Sequence, residues 1–312
     1  MPAAIDETHA IAWEIEPAPA SVALPRGGEL VWLPSQLRRG EKVVAAFFVY
    51  TAVMLSLRGE APWRQIVAWC VPVGIWATLA LESRYSRAWS RVVRDWALLG
   101  LILVAYREVD WFAGRAALAG WQRTWIGWDR FILHGLGLQG AVERLGGVIP
   151  GTLEFVYLSL YGIPALAMGA LYWNGRRDRI DRYLTTLFLG TFAAYALLPH
   201  FPSIAPRIAF PNQDLPHYSS LWRVVNLWLL DHCDIATSVF PSGHVAVAFS
   251  SAFGLLRALP GHRAFLAAMF GVAATVYTAT IYGRYHYAAD GLASILIAVM
   301  AWLVSEAADR EA

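Results

Sequence analysis

Three short segments of this 312-residue chain hold residue types able to handle a phosphate ester. In Phe240-Pro241-Ser242-Gly243-His244, a proline and two small residues stand just ahead of an apolar run, the pattern of a helix start. The first N–H groups of a helix have no intrahelical partner and point toward any anion beyond its end. Ser242 and Gly243 are therefore candidates to hold phosphate oxygens beside His244. The same residues also fit a plain helix cap whose histidine sits at a membrane surface. The second segment is Tyr282-Gly283-Arg284-Tyr285-His286-Tyr287-Ala288-Ala289-Asp290, in which His286 and Asp290 stand four apart, on one face of a helix. A carboxylate that holds the proton of one imidazole nitrogen leaves the other free as a nucleophile. Asp290 lies in an apolar run, where a charge at membrane depth needs a partner or a polar cavity. A purely structural His–Asp pair would meet that need too. The third segment, Phe201-Pro202-Ser203-Ile204-Ala205-Pro206-Arg207, has prolines that stiffen the chain and an arginine whose planar donors match phosphate. Alone, it is equally a loop with a solvated arginine.

The elements that must position these residues are apolar. The chain is 57% hydrophobic and 15% charged, against roughly 25% charged in soluble domains, which excludes disorder, collagen and an ordinary water-soluble enzyme. Fifteen Trp and thirteen Tyr suit a protein that meets the headgroup layer repeatedly. Apolar runs recur at 43–57, 66–81, 96–106, 152–173, 183–199, 240–256, 264–283 and 288–305. They predict an all-α, polytopic membrane bundle of about eight spans. The expected division is a flexible cytoplasmic leader at 1–40, two additional N-terminal spans at 41–94, and a six-helix catalytic core at 95–306. The run at 96–106 falls short of the ~20 residues a span needs, so it borrows flanking polar residues or lies on the surface.

Arginines set the expected orientation. Arg84, Arg87, Arg91, Arg94, Arg176, Arg177, Arg179, Arg182, Arg257 and Arg263 fall in connections on one side, and Arg58, Arg64 and Arg284 on the other. Ten against three places both termini in the cytoplasm. Segments 107–151 and 200–239 and the Arg284 turn then share the extracytoplasmic side, which gathers the three chemical segments on one face. Steps of three, four and four between Trp125, Trp128, Ile132 and Leu136 predict an amphipathic helix in the interface.

A net charge of +2, with Lys42 the sole lysine, carries no nucleic-acid signal. Two cysteines make neither a disulfide framework nor a metal cluster. Asp231-His232-Cys233-Asp234 is expected to be a solvated loop, since four successive ligands cannot all turn onto one ion without strain. His200 and His217 are expected to be loop or interface histidines. No metal or cofactor is implied. Paired histidines at membrane depth also suit a haem protein or a transporter's proton relay, the reading from another functional class.

Pro206-Arg207, Pro241-Ser242-Gly243-His244 and His286-Tyr287-Ala288-Ala289-Asp290, in that order, resemble the motifs of the type-2 phosphatidic acid phosphatase superfamily. The resemblance is closest to its inositol phosphorylceramide synthase and sphingomyelin synthase branch. The motifs cover about 200–290, and looser similarity around Trp128-Asp129-Arg130 and the following span extends it toward 95–305. The resemblance implies that His286 attacks phosphorus, Asp290 orients it, and His244 protonates the leaving alkoxide and later activates the acceptor. Arg207 and Arg284 would neutralise phosphoryl oxygens. The implied partners are a phospholipid or lipid phosphate donor and a lipid or alcohol acceptor. The phosphatase branch carries an arginine six residues before its second histidine, where this chain has Thr280, and a first-motif lysine that the corresponding segment here, expected to be extracytoplasmic, lacks. These departures favour head-group transfer, with lipid phosphate hydrolysis as the alternative.

Overall fold

In the computed structural model a helix lies at each of the eight apolar runs. The described residues are 37–310 other than 86–87, 114–119 and 236–237, and side chains at 76 and 79–90 are also outside the description. The leader expected at 1–40 lies outside the described residues as far as residue 36. The helices are α1 (Arg39–Leu57), α2 (Pro62–Tyr85), α3 (Ala88–Phe112), α4 (Gln122–Arg130), α5 (Leu138–Glu143), α6 (Val148–Ser159) and α7 (Ile163–Trp173). They continue with α8 (Ile180–Leu197), α9 (Pro206–Ala209), α10 (Leu221–Cys233), α11 (Gly243–Ala258), α12 (Arg263–Tyr282) and α13 (Ala288–Arg310). No strand occurs among the described residues. By length and composition α1, the continuous Val148–Trp173 segment, α12 and α13 are able to cross a membrane. The protein is an all-α integral membrane bundle. The short run at 96–106 lies inside the 25-residue α3, which takes in Arg91, Arg94 and Asp95 before it and Arg107 and Glu108 after it.

The centre of the bundle is α8, which packs on α1, α3, α11 and α13. Small residues permit this, as expected where helices associate through close packing rather than exclusion of water. A Cβ at Gly190 would lie 2.0 Å from Ser250 Oγ on α11 and 3.5 Å from Ala298 Cα on α13. Aromatic rings fill the opposite side of α8, where Phe192 stacks on Phe47 of α1 with centroids 4.6 Å apart.

The two ends of the bundle differ in chemistry. At one end the arginine-rich connections are tied to acids: Arg94 to Glu41, Arg38 and Arg177 to Asp95, and Arg39, Arg182 and Arg257 to Asp309. Glu41 and Asp95 are buried there. The other end gathers the end of α8 and the starts of α11 and α13.

The amphipathic helix expected around Trp125 is α4, but its stripe divides. Trp125 packs on Phe240 with centroids 4.4 Å apart, whereas Trp128 is exposed. The chain passes from α4 into a π-helical turn, Phe131–Gly135, whose wider winding shifts the phase of the stripe and leaves Leu136 exposed. The buried face of α4 presents Gln122 and Asp129 to the protein.

Candidate active site

Two helix starts are stitched together at the site end. Ser242 caps α11, its Oγ accepting from the Val245 N–H at 3.4 Å. Its own N–H donates to the Asp290 carbonyl at 3.2 Å, and Ser294 Oγ of α13 donates to its carbonyl at 2.8 Å. Gly243, first in α11, is needed because a Cβ there would sit 2.8 Å from the Tyr195 ring. His244 follows in the first turn and is buried.

The turn between α12 and α13 carries the second histidine. Gly283 caps α12, and Arg284 adopts the left-handed region at φ 64°. That conformation costs a non-glycine residue on the order of 1–3 kcal/mol. It lets the N–H groups of Tyr285 and His286 both donate to the Thr280 carbonyl, at 3.0 and 3.1 Å. At the start of α13, Asp290 Oδ2 accepts from the Tyr287 N–H at 2.9 Å, the acidic half of a capping box.

The two imidazoles meet. His286 Nε2 lies 3.3 Å from His244 Nδ1, with ring centroids 5.5 Å apart and planes at 61°. His286 Nδ1 donates to the Val239 carbonyl at 2.9 Å, and Asp290 Oδ2 stands 3.4 Å from the same nitrogen. The backbone carbonyl is the nearer orienting group, and the Asp290 carboxyl stands behind it. With its proton on Nδ1, His286 turns the Nε2 lone pair toward His244. Burial pushes the His286 pKa down to about 4; the Asp234 carboxylate opposes this and Arg207 reinforces it. The imidazole is thus neutral at pH 7, the form a nucleophile requires.

Tyr157 of α6 completes the arrangement. Its hydroxyl lies 3.1 Å from His244 Nε2, and its ring stacks on both His244 and Tyr285. If His286 Nε2 accepts from His244 Nδ1–H, the Tyr157 hydroxyl must donate to His244 Nε2 and so selects the tautomer whose proton faces His286. Tyr157→Phe keeps the stacking ring and removes that donor. The expected result is a fall of about tenfold in kcat with little change in KM, the size of one buried hydrogen bond, measured on any phosphoester the protein turns over.

Arg207 is the second residue of the short α9, its N–H donating to the Arg284 carbonyl at 3.0 Å. Its guanidinium donates to Asp234 Oδ2 at 3.2 Å. Asp234 also accepts from the Tyr106 hydroxyl, while Arg107 donates to the carbonyls of Cys233 and Asp234 at 3.1 and 3.3 Å. This corrects the expectation of a solvated loop at Asp231-His232-Cys233-Asp234: the first three residues form the last turn of α10, and Asp234 turns inward to grip Arg207. The signal in the sequence was that acidic residues, Asp234 among them, lie between Arg207 and His244.

Arg284 is placed otherwise than expected for a phosphate ligand. Its guanidinium pairs with Asp129 of α4, both side chains are buried, and Asp214 Oδ2 stands 4.0 Å away. Asp129 Oδ1 also accepts from the Ala288 N–H at 3.2 Å, so α4 pins the whole turn. Burial raises the Asp129 pKa, against the opposing pull of Arg284. Burial would raise Asp214 as well, but His134 at 2.9 Å and the charges of Arg284 and Arg130 hold it below the usual carboxylate range. His200 meets the Tyr50 hydroxyl at 3.0 Å and His217 meets Glu143 at 2.5 Å, and each is exposed.

The structure therefore brings His244, His286, Asp290, Ser242 and Gly243 together, sets Arg207 beside them, and gives Arg284 to Asp129. Residues 134–304, more than half of the chain, match the family model described as the PAP2 superfamily. No curated protein and no solved structure matches the chain.

Proposed function

The chain belongs to the PAP2 superfamily, and we propose that it is a lipid phosphotransferase that moves a phospho-head group through a phosphohistidine to a lipid or alcohol acceptor. Membership makes it an enzyme of the lipid phosphatase or phosphotransferase type. The observation that carries the finer reading is the 3.3 Å approach of His286 Nε2 to His244 Nδ1, with the other His286 nitrogen committed to Val239. Such a pair supplies a nucleophile and a proton donor to one phosphorus atom.

In the first step the His286 Nε2 lone pair forms a bond to phosphorus and the bond to the leaving oxygen breaks. His244, carrying a second proton on Nε2 at this stage, gives that oxygen the proton on Nδ1 and is left as the neutral imidazole. In the second step the acceptor hydroxyl loses its proton to His244, its oxygen bonds to phosphorus, and the P–N bond breaks. An in-line phosphoryl group between the rings needs the two nitrogens roughly 7 Å apart, one attack distance plus the bond to the leaving oxygen plus one hydrogen bond. Substrate must therefore part the two nitrogens, and the stacked Tyr157 gives His244 a surface along which to slide. Arg207, oriented by Asp234, supplies positive charge, and the first N–H groups of α11 supply neutral donors.

Transfer rather than hydrolysis is supported at Thr280. Where the phosphatase branch has an arginine, this chain has a hydroxyl folded back onto the Tyr277 carbonyl at 2.7 Å. We place the arginine-rich end in the cytoplasm and the histidines on the opposite side, since ten of thirteen counted connection arginines fall at that end. The test is incubation of purified protein with labelled phospholipids, with and without a lipid alcohol, followed by product identification. A new lipid carrying the labelled head group is expected. Release of phosphate or phosphate monoester regardless of acceptor would establish hydrolysis instead.

A further inference from the structure

Close to the two histidines lies a buried polar group that neither step of the reaction uses. Glu154 of α6 and Arg223 and Asn226 of α10 are all buried. Arg223 and Asn226 stand three apart, on one face of α10. Arg223 donates to Glu154 Oε1 at 2.8 Å, and Asn226 Nδ2 donates to Oε2 at 2.7 Å and to the Glu154 carbonyl at 2.9 Å. A further donor comes from the turn between α12 and α13, where the Tyr285 hydroxyl meets Oε2 at 2.6 Å. Every partner of the carboxyl is a donor, which is what an ionised carboxylate requires. A buried ion pair often stabilises a fold no better than apolar packing of similar volume, so what this one adds is direction.

That direction leads to His244. Glu154 and Tyr157 stand three apart on one turn of α6. Tyr285 is anchored at its hydroxyl by Glu154, and its ring stacks on Tyr157 with centroids 4.5 Å apart. Tyr157 stacks in turn on His244, at 5.1 Å. The Arg223 guanidinium adds a cation 5.8 Å from the Tyr285 ring centroid. His286, although next to Tyr285 in sequence, is held independently, by its own N–H on the Thr280 carbonyl and by Nδ1 on the Val239 carbonyl. We propose that Glu154, set by Arg223 and Asn226, is a positioning residue for His244 and acts on it through the stacked rings of Tyr285 and Tyr157. The inference rests on the phosphotransfer reading, in which His244 is the proton donor, and adds what aims it. When substrate parts the two imidazoles, a Tyr157 ring fixed in this way keeps the plane of His244 constant, so that Nδ1 still points at the leaving oxygen.

The test compares donors that differ only in leaving group, on the full chain in nanodiscs. An alkoxide needs the His244 proton in order to leave, whereas para-nitrophenolate leaves with little help. Tyr285→Phe keeps the stacked ring and removes the anchor. It is expected to lower kcat/KM for an alkyl phosphoester by about tenfold, and for the para-nitrophenyl ester of the same head group by about twofold or less. Glu154→Leu combined with Arg223→Met removes the anchor from the other side without orphaning a charge, and the same split is expected. Loss of folded protein would instead lower both donors together. A second readout needs no turnover. In ¹⁵N-histidine spectra the His244 ring, assigned with His244→Gln, is expected to pass from the single Nδ1-protonated form to a mixture of tautomers in Tyr285→Phe. Equal effects on the two donors in both variants, or an unchanged His244 signal in Tyr285→Phe, would overturn the positioning role. A changed His244 signal in a protein that turns over neither donor would keep the link from Glu154 to His244 and overturn the phosphotransfer reading.

Discussion

His286→Ala is expected to lower turnover of a lipid phosphoester by about 10⁴-fold or more while leaving the fold intact. Removing a covalent nucleophile abolishes the two-step route, and effects of this size follow loss of such a group elsewhere. The fold survives because the turn is held by backbone bonds to Thr280 and by the buried rings of Tyr285 and Tyr287; the side chain itself gives up its bonds to the Val239 carbonyl and to His244, about 1 kcal/mol each. His244→Ala is expected to lose less, about 10²- to 10⁴-fold, the usual contribution of general acid–base catalysis. The two are distinguished by trapping with ³²P-labelled donor. Wild-type protein should take up label that is stable to alkali and lost in acid, as a phosphoramidate is. His244→Ala should still take up label from a donor with a good leaving group, and His286→Ala should take up none. Label on His286→Ala protein would remove the nucleophile from the proposal.

Arg284→Met is expected to destabilise the protein by about 3–5 kcal/mol, the cost of leaving a buried charge without its partner. Asp129 would be left in a buried site with the Ala288 N–H as its remaining hydrogen bond. Burial already raises its pKa and Arg284 opposes that shift, so losing Arg284 raises it further. A carboxyl whose folded pKa lies above its unfolded value binds more protons in the native state, and stability then falls as pH rises through that window. The variant should therefore melt closer to wild type at pH 5 than at pH 8. Arg284→Met combined with Asp129→Leu should recover much of the loss, because the double change leaves no orphaned charge. Equal losses from the single and double variants, measured by thermal unfolding in detergent, would show that the pair does not pin the turn.

The helices were legible because apolar runs are local, and so were the motif residues, because capping and turn chemistry is also local. The positions that stayed hidden depend on contacts across long stretches of chain. Arg284 could be recognised as a cation near the second histidine, but its partner lies 155 residues earlier on an interfacial helix. Asp234 looked like one of four polar residues in a row, and only the fold shows that the last of them reaches Arg207 and Tyr106. Tyr157 sits in an apolar run where a tyrosine also fits the headgroup boundary, and nothing near it in sequence reveals the imidazole 87 residues away. The α4 stripe failed for a different reason. A constant helical period cannot foresee the π turn that rotates Leu136 out of line with Trp125.

The Val239 carbonyl that receives the His286 proton lies five residues before His244 on the same strip of backbone. One short peptide therefore both carries the acid and orients the nucleophile. Substituting the side chain at 239 leaves that oxygen in place, so the link is sheltered from ordinary missense change. What can disturb it is a displacement of the strip itself, and such a displacement would misalign both halves of the reaction at once.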